Sequence, residues 1–158
     1  MSVSPELSVE LRPATDADRN FCFAIHKAAM HDVVDQIWGW DDEDQSRYFD
    51  RTWQPANTQV VLVDGVDGGV LCVDRREEEI CLGRIEIDSS LQGNGIGTIL
   101  VKKLQTEAQN RGVPVVLEVL ENNGRAKALY SRLGFEVTEV RGHKTLMRWK
   151  HKTHEGDA

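Results

Sequence analysis

One stretch of sequence decides the fold of this chain: Ile87-Asp88-Ser89-Ser90-Leu91-Gln92-Gly93-Asn94-Gly95-Ile96-Gly97-Thr98. A strand-like run, Ile80–Ile87, enters this stretch, and a helix-like run, Ile99–Gln109, leaves it. Three glycines within five residues allow positive φ angles and let a ligand approach the main-chain amides without meeting a Cβ. The start of the helix adds unpaired N–H groups and the positive end of a helix dipole. The stretch therefore predicts a site for a phosphate or pyrophosphate group.

The composition of the 158 residues indicates a single globular domain. Hydrophobic residues make up 40% of the chain and charged residues 28%, which is ordinary for a soluble protein. A chain of this length buries a sizeable core, so we expect one domain over residues 1–150. The polar tail over residues 151–158 is predicted to be disordered.

Charge and hydropathy argue against two classes of partner. The formal net charge of −7 disfavours nucleic acid, which needs a basic face. The same charge either keeps the protein soluble or favours a cationic substrate. No apolar run approaches the roughly 18 residues of a membrane span, and Met1–Glu10 lacks the basic and apolar segments of a signal peptide. We therefore expect a cytoplasmic protein with no membrane partner.

The cysteines do not predict a metal centre or a disulfide framework. Cys22, Cys72 and Cys81 are odd in number and widely spaced, and none forms a C-x-x-C pair. Each lies among apolar residues, so we interpret all three as small buried side chains and expect no bound metal.

Apolar spacing and turn residues predict the element order β-α-α-β-β-β-α-β-α-β-β. The crossover through the glycine-rich stretch predicts one parallel pair of strands. Hairpins on both sides of it predict antiparallel neighbours, and hence a mixed α/β sheet. The predicted strands are Ser8–Arg12, Gln59–Val63, Gly69–Val73, Ile80–Ile87, Pro114–Leu120, Phe135–Val140 and Lys144–Trp149. The predicted helices run from about Thr15 to Met30, from the acidic run Asp41–Asp44 to about Trp53, from Ile96 to Arg111, and from Arg125 to Arg132.

The spacing of the glycines disfavours two common phosphate loops. A P-loop requires a lysine between its last glycine and the following Ser or Thr, but Thr98 follows Gly97 directly. A dinucleotide fingerprint requires G-x-G-x-x-G, whereas Thr98 stands at the sixth position here. Glu118 lies about 20 residues further on, where a ribose-binding acid is expected, but the chain has too few βαβ units for such a domain.

Two motifs identify a third kind of loop. Gln92–Gly97 matches Q/R-x-x-G-x-G/A, and the segment Asn123–Phe135 matches N-x-x-A-x-x-L/F-Y followed by L-G-F. Together and in this order, they make residues from about Ser8 to Lys150 resemble the GNAT superfamily of acyl-CoA-dependent N-acyltransferases. The resemblance implies a mixed, mostly antiparallel sheet of about six to seven strands. It also implies a splayed central parallel pair and about four helices.

The resemblance implies acetyl-CoA as co-substrate, with no metal. In this family the fourth strand parts from the fifth and offers its backbone to the pantetheine arm, while the loop amides hold the pyrophosphate. The residues implied to contact the cofactor are Ile85, Ile87, Gln92, Gly93, Asn94, Gly95, Ile96, Gly97, Thr98, Asn123, Ala126 and Tyr130. For Asn123 a helix-capping role is an alternative that does not exclude contact with the cofactor.

The resemblance also implies direct transfer of the acyl group to an amine. Tyr130 stands at the family position of the general acid that protonates the departing thiolate, and backbone N–H near Ile87 would polarise the thioester carbonyl. Glu86 is the predicted general base, although strand alternation could point it to solvent. Glu118, His143 and a chain of water molecules are the alternatives.

The sequence leaves the amine acceptor open. Trp38, Trp40 and His143 are predicted to shape its pocket, with His26 or His31 nearby. Packing against the sheet is an equal alternative for the tryptophans. We predict an N-acetyltransferase acting on a primary amine of a small metabolite, peptide or protein, as a monomer or homodimer. The alternatives are a non-catalytic acyl-CoA sensor and a structural interaction module.

Overall fold

The computed structural model describes residues 7–152 and confirms the predicted mixed α/β fold. Seven strands and four α-helices, with short 3-10 turns, lie within these residues. In chain order the elements are β1 (Val9–Pro13), α1 (Arg19–Trp38), α2 (Asp42–Thr52), β2 (Thr58–Val63), β3 (Val66–Arg75), β4 (Ile80–Ile87), α3 (Ile96–Arg111), β5 (Val115–Leu120), α4 (Gly124–Arg132), β6 (Glu136–Arg141) and β7 (Lys144–Trp149).

The strand order in the sheet is β1-β2-β3-β4-β5-β7-β6. The pair β4–β5 is parallel, and the pairs β1–β2, β2–β3, β5–β7 and β6–β7 are antiparallel. Within residues 7–152, β4 pairs with β5 only from Ile80 opposite Val115 to Leu82 opposite Leu117. Strand β4 continues to Ile87 beyond this register, as the predicted splay requires.

The chain divides into two compact units. Among the described residues, one unit contains those up to Cys72 together with Arg84–Ile96, and the other contains Val73–Gly83 and those from Gly97 onward. The single domain expected over residues 1–150 stays a prediction. Most of the predicted disordered tail, residues 153–158, lies outside the described residues. No helix in residues 7–152 is both long and apolar enough to cross a bilayer.

Helix α1 is longer than the sequence predicted. Its expected end near Met30 was wrong, because the helix continues to Trp38. No glycine or proline interrupts residues 31–38, and Val34 in this extension is buried. The helix ends where the N–H of Gly39 donates to the carbonyl oxygen of Asp35. The polar residues after Met30 therefore occupy an exposed face of the same helix.

The hairpin between β2 and β3 is tighter than predicted. The predicted start of its second strand at Gly69 was wrong, because β3 already begins at Val66. The register shifts so that Val61 faces Gly69 and Leu62 faces Asp67, which leaves Gly68 as an extra, bulged residue. A Cβ added at Gly69 would lie only 2.7 Å from the main-chain oxygen of Glu86. Glycine at position 69 therefore permits the close approach of β3 to the end of β4.

The first unit has an aromatic core beneath its helices. Cys22 and Ile25 of α1 pack with Phe49 of α2 and Val70 of β3. Phe21, Phe23, Trp53 and Cys72 pack against this cluster. The second unit buries one face of α3 and alternate residues of β5. Its buried residues include Leu100, Val101, Leu104, Ala108, Val115, Leu117, Tyr130, Phe135 and Met147.

A charged contact ties β1 to the turn that precedes α1. The guanidinium of Arg12 donates to both carboxylate oxygens of Asp18, at 2.8 and 2.9 Å. Asp18 also accepts a hydrogen bond from the main-chain N–H of Thr15 at 2.8 Å. Chiefly through the Arg12 hydrogen bond, the pKa of Asp18 falls from 3.8 to about 2.

Replacement of this carboxylate should change acid stability. Because the folded-state pKa is depressed, the stability that Asp18 contributes is present above pH 4 and is lost as the pH falls toward 2. We expect Asp18→Asn to lower the melting temperature at pH 7 by roughly 2–4 °C, and to flatten its decline between pH 4 and 2. Thermal unfolding followed by circular dichroism measures both. Glu10→Gln is the control, since Glu10 is an exposed carboxylate on β1. The prediction would be contradicted if the melting temperatures of Asp18→Asn and Glu10→Gln depended on pH in the same way.

Candidate active site

The glycine-rich stretch forms a capped turn that leads directly into a helix. A 3-10 turn over Ser89–Leu91 is capped by Asp88, whose carboxylate accepts hydrogen bonds from the N–H and the hydroxyl of Ser90. Gly93 and Gly95 then adopt φ angles of 86° and 76°, in the left-handed region that favours glycine. Helix α3 begins at Ile96, which is 98% buried and anchors the end of the turn.

The main chain of this turn offers free hydrogen-bond donors. Within residues 7–152, the amides of Gly93, Asn94 and Gly95 donate no hydrogen bond, and all three residues are exposed. The side chain of Asn94 braces the turn by donating to the oxygen of Leu91 at 2.9 Å. Exposed N–H groups at the start of a helix form an arrangement that binds anions. The predicted pyrophosphate site therefore has a suitable backbone.

Ile85 and Ile87 lie on the part of β4 that has no β5 partner among the described residues. Their main chain therefore remains a candidate for pairing with an extended ligand. The carbonyl oxygen of Ile87 accepts a hydrogen bond from the side chain of Gln92 at 3.2 Å. The side chain of Gln92 thus connects the end of β4 to the turn.

The second motif forms helix α4. Asn123 caps this helix, because its side-chain oxygen accepts a hydrogen bond from the N–H of Ala126 at 3.2 Å. The capping alternative for Asn123 is therefore present in the structure. Tyr130 is buried, with its ring centroid 5.5 Å from that of Phe135. The N–H of Phe135 also donates to the main-chain oxygen of Tyr130, which fixes the tyrosine at the end of the helix.

Glu86 does not point to solvent. Its side chain is only 6% exposed, and its Oε2 lies 2.8 Å from Nδ1 of His26 on α1. Within the described part of the chain, its Oε1 is the one buried side-chain nitrogen or oxygen that lacks a hydrogen-bond partner. The Nε of Arg84 lies 3.5 Å from Oε1, a distance beyond good hydrogen-bond geometry. The first unit therefore holds a buried carboxylate, an imidazole and a guanidinium together.

Aromatic rings enclose this charged group. The guanidinium of Arg84 lies 5.0 Å from the ring centroid of Phe49, a distance typical of cation–π contact. The His26 ring lies 5.6 Å from Phe49, 6.0 Å from Trp40 and 6.5 Å from Phe23, measured between ring centroids. The low polarity of these neighbours strengthens the electrostatic interactions within the group.

Three of the four tryptophans, Trp38, Trp40 and Trp53, have different environments. Trp40 contacts His31 as well as His26, and its indole N–H donates to Asp42 at 2.6 Å. Hydrogen bonds from Lys27 and then Trp40 lower the pKa of Asp42. Trp53 stacks on Phe49, and thus has the packing role. Trp38 is 59% exposed at the end of α1. The structure brings Trp40 together with the two histidines that the sequence suggested as its neighbours.

The two alternative base residues lie in the second unit. Glu118 on β5 is exposed and lies 3.5 Å from the Nζ of Lys144. His143 is exposed in the turn between β6 and β7, and its main-chain oxygen accepts a hydrogen bond from Glu121. Glu118 is thus an exposed carboxylate, whereas the carboxylate of Glu86 is buried.

Sequence reasoning missed Arg84 and Phe49, and named His26 only as a neighbour. One signal was available: Arg84 and Glu86 stand two residues apart in an otherwise apolar strand, where they share a face. No local pattern links α1 to β4, because His26 and Glu86 are 60 residues apart.

Comparison with known proteins identifies the family. The model of the Acetyltransferase (GNAT) family matches residues 23–135. The chain therefore belongs to the GNAT family of acetyltransferases.

The curated relatives include ribosomal protein bS18-alanine N-acetyltransferases. The protein from Salmonella typhimurium is 38% identical over 93 residues, which cover 58% of this chain and 53% of the relative. The protein from Escherichia coli K12 is 38% identical over 65 residues, which cover 40% of this chain and 44% of the relative. The chain thus spans about half the length of the curated relatives it matches.

Solved structures share the fold at low sequence identity. PaiA N-acetyltransferase from Thermoplasma acidophilum, in complex with coenzyme A, has a TM-score of 0.75 at 15% identity, covering 91% of this chain and 99% of that one. Arabidopsis thaliana Naa50, in complex with the bisubstrate analogue CoA-Ac-MVNAL, has a TM-score of 0.60 at 14% identity, with the same coverage.

Gly95 in the turn and Gly97 in α3 should differ in their tolerance of an added methyl group. Gly95→Ala places an L-residue at φ 76°, which costs about 1–2 kcal/mol. Gly97 lies inside α3, and its added Cβ would meet only Leu129 Cδ2 at 3.4 Å. We expect urea unfolding to show a loss of roughly 1 kcal/mol for Gly95→Ala and less than about 0.5 kcal/mol for Gly97→Ala. An equal loss of unfolding free energy in the two variants would contradict the positive φ angle of Gly95.

The three thiols should react slowly in the folded protein. Burial raises the pKa of Cys22 to about 12, and it also raises the pKa values of Cys72 and Cys81. Because the thiolate is the reactive form, we expect the folded protein to react with Ellman's reagent at pH 8 far more slowly than the urea-unfolded chain. Cys22→Ala should remove the slowest phase. Rapid modification of Cys22 without unfolding would contradict its burial.

Proposed function

We propose that this chain is an acetyl-CoA-dependent N-acetyltransferase that acetylates a primary amine by direct transfer. The observation that supports it most directly is the glycine-rich turn of a GNAT family member, where the amides of Gly93, Asn94 and Gly95 are exposed before α3 and, within residues 7–152, donate no hydrogen bond. Those donors are suited to a diphosphate. The raised pKa values of the cysteines favour direct attack over an acyl-cysteine intermediate.

The proposed cofactor contacts follow the two motifs. The amides from Gln92 to Thr98 would hold the pyrophosphate, and the main chain at Ile85 and Ile87 would pair with the pantetheine arm. The end of the β4–β5 register at Leu82 supports the second assignment, since it leaves the later part of β4 without β5 as a partner. Asn123 and Ala126 would contribute from the start of α4.

Tyr130 is proposed as the general acid. Its ring is held by Phe135 in the L-G-F segment, so the phenol has a fixed position. Main-chain N–H near Ile87 would stabilise the oxyanion of the tetrahedral intermediate. The amine proton would leave through the buried Glu86 and its partner His26.

We further propose the α-amine of a peptide or protein as the acceptor. The support is the similarity to the bS18-alanine N-acetyltransferases, which act on an alanine amine, together with the fold shared with Naa50. Trp38 and Trp40 would border the acceptor, and His143 would contribute from the β6–β7 turn. The net charge of −7 suits an amine carried on a basic protein.

Turnover and its dependence on Tyr130 test this function. We expect the purified chain to release coenzyme A from acetyl-CoA when given a peptide with a free N-terminal alanine, and not when that terminus is blocked. Tyr130→Phe should lower kcat about 100-fold, because the thiolate loses its proton donor, while coenzyme A affinity in calorimetry stays unchanged. The matched control is Tyr48→Phe, at the other tyrosine of the chain, which is 53% exposed.

The outcomes separate the competing functions. Binding of coenzyme A without thiol release on any amine would favour a sensor. No binding of coenzyme A to the folded protein would contradict both the enzyme and the sensor. Release of coenzyme A with free lysine but not with the peptide would indicate that the acceptor is a side-chain or metabolite amine.

A further inference from the structure

We propose that the general base is His26, and that Glu86 is a positioning residue that acts through it. The proposal rests on the N-acetyltransferase function and assigns the atom that receives the amine proton. It replaces the simpler prediction in which Glu86 itself takes the proton.

The burial of Glu86 argues against direct contact with an acceptor. One carboxylate oxygen, Oε2, is occupied by His26 Nδ1 at 2.8 Å. The other, Oε1, is fully buried and faces Arg84 at 3.5 Å. An amine that approached Oε1 would have to displace the packing around a side chain that is only 6% exposed. The burial of Glu86 therefore favours a role in orienting His26 over direct contact with a substrate.

His26 has one occupied and one available nitrogen. An ionised carboxylate only accepts hydrogen bonds, so its contact with Nδ1 places the imidazole proton there and leaves a lone pair on Nε2. Within residues 7–152, Nε2 makes no hydrogen bond, yet it is not among the fully buried unpartnered atoms. It therefore retains access to solvent, through a side chain that is 12% exposed.

The surroundings of His26 keep this geometry fixed. Phe49, Trp40 and Phe23 lie around the imidazole, and Trp40 is itself held by its hydrogen bond to Asp42. A buried carboxylate that orients an imidazole also stabilises the imidazolium formed when the ring accepts a proton. The arrangement is that of an oriented base, with its second nitrogen turned away from the carboxylate.

The proposed reaction moves one amine proton to His26 and the phenolic proton of Tyr130 to the departing thiolate. The neutral amine attacks the thioester carbonyl carbon, the N–C bond forms, and the carbonyl π electrons move to oxygen. The nitrogen proton passes to His26 Nε2, which gives an imidazolium beside the Glu86 carboxylate. The intermediate collapses, the C–S bond breaks, and the thiolate takes the phenolic proton of Tyr130. Imidazolium then loses one proton to solvent and the phenolate regains one, leaving the N-acetyl amine and free coenzyme A.

The decisive variant is His26→Asn. Its side-chain amide can donate to Glu86 from the position of Nδ1, but it has no basic nitrogen in place of Nε2. If His26 is the base, His26→Asn and His26→Ala should both lower kcat about 100-fold or more, with the KM for acetyl-CoA unchanged. If His26 only positions Glu86, His26→Asn should restore activity that His26→Ala loses, and that rescue would overturn the proposal. His151→Asn, near the end of the described chain, is the matched control.

A second measurement does not depend on turnover. Long-range proton–nitrogen NMR correlations should show His26 of the wild type as the Nδ1–H tautomer, and Glu86→Gln should disturb that preference. An Nε2–H tautomer in the wild type would overturn the proposal even if His26 variants fail to fold. A folded wild type that releases no coenzyme A with any amine would overturn the proposed function and this assignment with it. A wild type that turns over beside a fully active His26→Asn overturns this assignment alone.

Discussion

The early end of hydrogen bonding between β4 and β5 is the constraint on which the candidate site depends. The parallel register closes after three residue pairs, at Leu82 and Leu117, although both strands continue. Strand β5 pairs with β7 over its whole length, from Val115 to Leu120, whereas the last residues of β4 lead into the glycine-rich turn. A continuous parallel ladder would have satisfied the main chain of Ile85 and Ile87 internally. Its interruption leaves the main chain at the end of β4 without β5 as a partner among the described residues.

The same segment of β4 carries a carboxylate where an apolar side chain would be expected. Burial of an ionised group is expensive unless charges and hydrogen bonds compensate it. Here His26 and Arg84 supply the compensation, and Phe49 packs against both of them. The arrangement leaves Oε1 without a hydrogen bond. Buried polar atoms without a hydrogen-bond partner are characteristic of functional sites, where a protein is less stable than it could be.

The sequence predicted the fold well because its strongest signals are local. The motif at Gln92–Gly97 and the segment Asn123–Phe135 predicted the turn, both adjacent helices and the cap at Asn123, and β4 was predicted with the bounds that it has. The errors occurred where tertiary packing overrides local signals. Burial of Val34 extends α1, and a bulge at Gly68 lets β3 start earlier.

The candidate site was only partly predictable for a related reason. Glu86 was identified by its strand, but its orientation depends on α1, which lies 60 residues away in the chain. Arg84 and Phe49 matter only through contacts that no spacing rule encodes. The aromatic residues of the α1–α2 region illustrate the same limit, since Trp40 meets two histidines, Trp53 packs in the core and Trp38 is exposed.

The close approach at Gly69 has a consequence for how this protein tolerates change. A single extra carbon there would press on the main-chain oxygen of Glu86, although position 69 carries no chemistry of its own. The absence of a side chain at position 69 of β3 thus allows the position in which β4 holds the Glu86 carboxylate. Any redesign of the hairpin would therefore have to keep glycine at this position, because a side chain there would displace the strand that carries Glu86.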